Sequence, residues 1–211
     1  MRVLTCILTV LVATAPAVAA DRPLRHVEYT VSTDVDGRTT TSRLVLDLVG
    51  TTNDRGVSLT ICEPDLADPV RVDVDKRGVA TIVPFGAARD IALTREAKLL
   101  VYFFALGAQN LTGMGRGDEW TADGETGDGA QHRTRFRVVR SAGTGRLDIA
   151  FTRDLELSGE RTGYQGRLVY DAFKVVPVSV DARGEVQASE PGGRRTHDLR
   201  LALTLVKDSQ P

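Results

Sequence analysis

The chain has 211 residues and a formal net charge of −1, from 27 basic and 28 acidic residues. A length of this order suits a single domain of ordinary size with its own hydrophobic core. Nucleic-acid-binding domains usually carry a basic patch, whereas arginines and aspartates are interspersed throughout this chain, so we expect no nucleic-acid partner.

Residues 1–20 have the pattern of a secretory signal peptide. Arg2 gives a positive start, residues 4–15 are apolar apart from threonines and Cys6, and residues 17–20 are small enough for cleavage. The apolar run is shorter than the about 20 residues that cross a bilayer. We therefore expect cleavage near Asp21, export to the periplasm or beyond, and no membrane span in the mature protein.

Apolar and polar side chains alternate along most of the remaining chain, which is the pattern of half-buried β-strands. The alternating runs are Val27–Val31, Leu44–Leu48, Val57–Ile61, Val70–Val74, Phe136–Val138, Leu147–Phe151, Leu168–Ala172, Val178–Val180 and Leu199–Leu205. Four segments that begin with Asp or Asn and end with Gly predict tight turns between strands: Asp34–Gly37, Asn53–Gly56, Asp75–Gly78 and Asp181–Gly184. Sequence neighbours are therefore expected to pair as an antiparallel meander.

The segment from Thr94 to Leu106 interrupts this alternation. Thr94 is a candidate N-cap, good helix formers follow it, and Gly107 is a candidate stop. Because residues 99–106 are apolar on every side, a helix here needs cover all round, which a curved sheet would give. A buried strand is the alternative, since residues 101–104 are rich in aromatic and β-branched side chains.

A glycine-rich loop is predicted near residues 107–131, with a short strand only at Asp118–Thr121. The expected fold is mainly β, a curved antiparallel sheet or half-barrel of hairpins with one apolar helix packed against it. Residues 21–211 are expected to form a single domain.

No arrangement of residues predicts catalysis, a metal site or a cofactor. His26, His132 and His197 lack metal-binding spacing, and Cys62 is interpreted as a small residue on the second face of a strand. The acidic residues of the glycine-rich loop could hold a cation or simply be solvated; they are Asp118, Glu119, Asp123, Glu125 and Asp128. Asp73–Gly78 is interpreted as a hairpin turn and not as a calcium loop.

Residues Gly117–Thr121 form a Gly-Asp-x-Trp strand, followed by the runs 136–139, 147–157, 164–171 and 180–185. This order resembles a family of secreted bacterial β-sheet proteins of unknown function over roughly residues 100–206. The resemblance implies a β-sheet fold and provides no established catalytic residues to transfer to this chain. A curved sheet around an apolar helix is also similar to the half-barrel of bacterial lipoprotein carriers, a likeness of fold alone.

These observations predict an exported, non-catalytic binding protein of the bacterial envelope, possible partners being an apolar small molecule, a lipid or an envelope protein. Expected lining residues on the helix and the facing sheet are Leu99, Tyr102, Phe103, Phe104 and Trp120. The same residues could instead be the core. A structural component of the envelope is the second hypothesis, and a hydrolase the third.

Overall fold

A computed structural model describes residues 23–51, 56–63, 69–75, 80–83, 93–106, 111–125, 131–157, 160–190 and 193–209. These residues form one curved antiparallel sheet of eleven strands with one helix packed on it, as the sequence predicts. The predicted signal peptide lies outside the described residues.

The strands run from β1 to β11, with the helix α1 between β5 and β6. Their bounds are β1 (Arg25–Val35), β2 (Arg38–Thr51), β3 (Val57–Cys62), β4 (Val70–Val74), β5 (Ala80–Val83), α1 (Arg95–Ala105), β6 (Glu119–Glu125), β7 (Gln131–Ser141), β8 (Arg146–Leu157), β9 (Glu160–Asp171), β10 (Val176–Glu190) and β11 (Gly193–Ser209).

Two meanders make up the sheet, in the order β5-β4-β3-β2-β1-β11-β10-β9-β8-β7-β6. The chain starts in the middle with β1, winds outward to the edge strand β5, continues through α1, and starts again at the opposite edge with β6. It then winds inward until β11 pairs with β1. The helix therefore lies on the connection between the two edges of the sheet.

The helix forms where the sequence predicts it, and the alternative of a buried strand is wrong. Thr94 is the N-cap, and its hydroxyl accepts a hydrogen bond from the Ala97 backbone N–H at 3.2 Å. The buried Glu63 carboxylate accepts one from the Thr94 N–H at 3.1 Å, where the positive end of the helix dipole favours an anion. Gly107, the predicted stop, lies outside the described residues.

Each strand turns one face toward the helix and the other away from it. On β1, Val27, Tyr29 and Val31 are buried on the face where Tyr29 meets Phe104 of α1, and Thr30 is exposed on the opposite face. The same alternation places the core between the helix and the sheet, because residues two apart on a strand share a face. We call these the helix-covered face and the outer face.

The hairpin predicted at Asp34–Gly37 is confirmed. Asp36 and Gly37 form a two-residue turn with φ of 50° and 82°, the left-handed conformation that suits a tight hairpin. The Asp36 side chain accepts hydrogen bonds from His197 Nδ1 at 2.6 Å and from the Asp198 N–H at 2.9 Å, so the turn is tied to β11.

The turn predicted at Asp181–Gly184 is wrong, because all four residues lie inside β10 and pair with β9. Gly184 is there for close packing and not for a turn: a Cβ built on it would overlap the carbonyl oxygen of Gly163 on β9. The hairpin closes later, where Glu190 pairs with Gly193.

The remaining turn predictions are only partly covered by the described residues. Residues 52–55 and 76–79 lie outside them, although the flanking strands pair as antiparallel hairpins, Thr51 with Val57 and Val74 with Ala80. The glycine-rich loop contains more strand than predicted, since β6 extends to Glu125 and pairs with β7 along its length.

Candidate functional site

The five residues predicted to line a ligand site all lie between α1 and the sheet. Leu99, Phe103 and Tyr102 are buried, with 4%, 0% and 9% of their surfaces exposed, whereas Phe104 and Trp120 are partly buried at the edge of the core. Whether they bind a ligand stays a prediction.

Aromatic rings join the helix to both meanders. Phe136 of β7 stacks on Trp120 at 4.8 Å and on Tyr102 at 6.2 Å between ring centroids. Phe103 meets Phe151 of β8 edge-on at 5.0 Å, and Phe104 meets Tyr29 of β1 at 6.3 Å. Such pairs add to the free energy gained from burial, so these rings hold the helix against the sheet.

A buried arginine lies next to this aromatic group. The Arg153 guanidinium sits 3.8 Å from the centre of the Tyr102 ring and donates a hydrogen bond to the Thr134 hydroxyl at 3.2 Å. Only 5% of Arg153 is exposed, and burial lowers its pKa because the charged form loses water. Burial raises the pKa of the neighbouring Tyr164 to about 12, so that phenol is neutral.

An apolar cavity of about 250 Å³ lies on the other side of the helix, between its C-terminal end and strands β1–β4. Its walls are mostly aliphatic, with Arg25 and Asp75 as the charged members; the lining residues are Arg25, Val27, Leu46, Leu48, Gly56, Val57, Leu59, Val74, Asp75, Phe104, Ala105 and Val175. This volume lies between the about 150 Å³ that holds a benzene and the roughly 300–1,000 Å³ of drug-sized sites. A small or single-chain apolar molecule would fit.

Of the five predicted lining residues, Phe104 is the one that borders this cavity. Sequence reasoning missed the sheet residues Val57, Leu59 and Val74, although their alternation had placed all three on one face. The missing information was the distance between the C-terminal end of α1 and strands β3 and β4, which a local sequence pattern does not contain.

Polar groups on the outer face are engaged with one another. His26 contacts the Asp47 and Glu28 carboxylates, both at 2.7 Å, and Glu28, which is 5% exposed, also contacts Lys207 at 3.0 Å. Cys62 has a raised pKa, first because of burial and then because of the Asp47 carboxylate. A raised pKa disfavours the thiolate that reactive cysteines need.

The acidic residues predicted as a possible cation site make contacts within the protein. Asp123 pairs with Arg133 at 2.9 Å, Glu119 pairs with Arg137 at 3.3 Å, and Asp118 accepts a hydrogen bond from the Gly115 N–H. Asp128 and the His132 and Glu125 side chains lie outside what the structure describes. Within the described ranges, no group of three or more His, Cys, Asp or Glu residues could hold a metal ion.

None of the described helical residues forms a stretch long and apolar enough to cross a membrane.

Comparisons with known proteins find similarity among solved structures. No protein-family model and no curated protein matches the sequence. The hypothetical lipoprotein YmcC from Escherichia coli is similar, with a TM-score of 0.34 and 12% identity over 85% of this chain and 86% of that one. A DUF1329 family protein from Desulfovibrio piger is similar with a TM-score of 0.30 and 10% identity, over 90% and 87%. Similarity at this level carries no argument about function.

Proposed function

We propose that this protein is an exported, non-catalytic binding protein of the bacterial envelope that holds an apolar or lipid ligand. The ligand occupies the cavity between the C-terminal end of α1 and strands β1–β4. The observation that carries the proposal is this cavity of about 250 Å³, lined mainly by aliphatic side chains. Apolar molecules gain about 25 cal/mol for each Å² that they remove from water.

The pattern of residues 1–20 supports export. The chemistry of the cavity supports binding over catalysis, since a reaction needs converging titratable groups. Of the two charged lining residues, Arg25 is held by Asp208 through two hydrogen bonds of 2.8 and 2.9 Å. Arg25 thus serves as a structural partner of β11 at the edge of the cavity.

Native mass spectrometry with lipid extraction, on protein purified from its own envelope fraction, tests the proposal directly. We expect a co-purifying apolar molecule in near-stoichiometric amount. A measured mass equal to that of the polypeptide alone, with no extractable lipid and no binding of an added apolar fluorophore, would contradict the proposal and favour a structural role.

A matched pair of variants locates the ligand. Val57→Phe places a phenyl ring in the cavity, whereas Val45→Phe makes the same change on the outer face of β2, where Val45 pairs with Glu28 and Cys62. We expect Val57→Phe to weaken binding of N-phenylnaphthylamine about tenfold, which is about 1.4 kcal/mol, and Val45→Phe to leave it unchanged. Equal binding by the two variants would place the ligand elsewhere.

A further inference from the structure

The described residues expose four large hydrophobic side chains, and three of these lie at the same end of the sheet. Phe173 and Val175, with 68% and 41% of their surfaces exposed, belong to the turn between β9 and β10, and Leu24, with 53% exposed, directly precedes β1. Arg25 donates a hydrogen bond to the Lys174 carbonyl, which joins the start of β1 to this turn. We call Leu24, Phe173, Lys174 and Val175 the apolar tip.

The turn holds these side chains in a fixed position. The Asp171 carboxylate accepts hydrogen bonds from the N–H groups of Phe173 at 3.1 Å and Lys174 at 2.9 Å. The Phe173 ring lies against Gly145, where a Cβ would overlap it. These contacts keep an aromatic ring on the surface although the turn itself requires none.

Val175 has an unfavourable backbone conformation for its type. Its φ is +53°, in the left-handed region that β-branched residues rarely adopt and that Gly or Asn would occupy at little cost. Strain of this kind clusters at functional sites. A partly exposed valine at this position therefore points to a functional role for its side chain.

The tip borders the cavity of the proposed ligand site. Val175 belongs to both, since it lines the cavity and is 41% exposed, and Leu24 is anchored to Leu48, another lining residue, by a backbone hydrogen bond of 2.7 Å. An apolar molecule that leaves the cavity at Val175 thus meets the apolar tip first.

We propose that the apolar tip inserts into a lipid bilayer surface and that the cavity receives its ligand from there. Three side chains of this size expose on the order of 300 Å², whereas a stable protein partner needs about 800 Å² on each side. Insertion into a bilayer needs only a few apolar side chains. Lys174 lies between them, 63% exposed and with its ammonium 4.0 Å from the Asp208 carboxylate, so it provides a positive charge at the level of the headgroups. This proposal rests on the proposed function.

Vesicle flotation tests the docking step with protein purified after export and freed of bound lipid. The vesicles contain phosphatidylethanolamine and phosphatidylglycerol, or phosphatidylcholine alone. We expect the wild type to float with the vesicles and Phe173→Ser to lower its partition coefficient about tenfold or more. The control Val206→Ser removes a side chain that is 63% exposed on β11 outside the tip, and we expect it to float like the wild type.

Fluorescence quenching by brominated lipids gives a second measurement. The wild type has one tryptophan, Trp120. Because it packs on Phe136 at the edge of the core, we expect little quenching of its fluorescence. Phe173→Trp adds an indole at the tip, and we expect strong quenching. Equal quenching of the two proteins, absence of flotation, or equal loss in Phe173→Ser and Val206→Ser would overturn docking through the tip.

The two proposals fail in different ways. If Val57→Phe floats like the wild type but binds N-phenylnaphthylamine about tenfold more weakly, while Phe173→Ser binds the fluorophore like the wild type but partitions about tenfold less onto vesicles, both are supported. If the wild type floats and binds no fluorophore, the ligand site is wrong and the docking surface stands. If it binds the fluorophore and does not float, the docking surface is wrong.

Discussion

Arg153 places a guanidinium between α1 and β8, where 5% of the residue is exposed. Among the described residues its charge is met by the Tyr102 ring and the Thr134 hydroxyl, and by no carboxylate within ion-pair distance. Burial lowers its pKa, so folding disfavours the charged form, and this cost is present over the whole pH range in which arginine carries its charge.

Arg153→Met should therefore leave the free energy of unfolding unchanged or raise it by up to about 3 kcal/mol, because an apolar side chain of similar length avoids the desolvation. Urea denaturation at neutral pH measures this. Arg167→Met is the control, since that guanidinium is 63% exposed beside Asp148 and its loss should change stability by no more than about 0.5 kcal/mol. A loss of stability above about 0.5 kcal/mol in Arg153→Met would contradict this and show that the guanidinium is net stabilising.

Alternation along β8 assigns Arg153 to the helix-covered face, two residues after Phe151. Residue type alone assigns an arginine to the outside. The periodicity was the better guide here, because the sheet fixes which face a residue occupies before its side chain finds partners. The burial of Arg153 can be predicted from the sequence only if the two-residue alternation of β8 is given more weight than the usual exposure of arginine.

Among the elements, β10 shows where sequence reasoning fails. Asp181–Gly184 has the composition of a turn, yet it runs straight through the sheet, because Gly184 accommodates the backbone of Gly163 on β9. Glycine serves both turns and close approaches, and only the neighbouring strand distinguishes them. The helix and the strand runs were predictable, since their apolar periods and the Thr94 cap are local signals.

Gly184→Ala should lower the free energy of unfolding by about 1–3 kcal/mol, because its Cβ would overlap the Gly163 carbonyl oxygen. Gly50→Ala on β2 is the matched control, since no atom lies within 4 Å of a Cβ built there. The same methyl group at Gly50 should be neutral or stabilising, as alanine loses less backbone entropy than glycine. Thermal unfolding compares the two; similar melting temperatures would mean that β9 moves aside to accept the methyl group.

At the scale of the whole molecule, the two meanders are joined by the pairing of β1 with β11, and aromatic contacts connect the helix to both of them. The chain therefore closes its sheet in the middle, with pairs such as Val35 and Leu199 that are far apart in sequence. The sequence predicted hairpins between neighbours but contained no signal for this long-range pairing. The cavity was not predicted for the same reason, since it lies beside that junction and depends on how the helix packs on β1–β4.

The Arg25–Asp208 pair joins the start of β1 to the end of β11 at this junction, beside both the cavity and the apolar tip. The hydrogen bonds from Arg25 are the main cause of the lowered pKa of Asp208, and the positive charges of Arg25 and Lys174 lower it further. A carboxyl with a lowered folded-state pKa stabilises the fold above its unfolded pKa, near 3.8, and this contribution is lost as the pH falls through the folded value.

Asp208→Asn should lower the free energy of unfolding by about 2 kcal/mol at neutral pH, where it removes charged hydrogen bonds. The difference from the wild type should stay constant down to about pH 5 and shrink below about pH 4, because the wild-type carboxyl then takes up its proton. Urea denaturation across this range measures it, with Asp181→Asn, an exposed position on the outer face, as the control. A difference that does not change with pH would show that Asp208 stabilises the junction through shape and neutral hydrogen bonding, and that its charge contributes nothing.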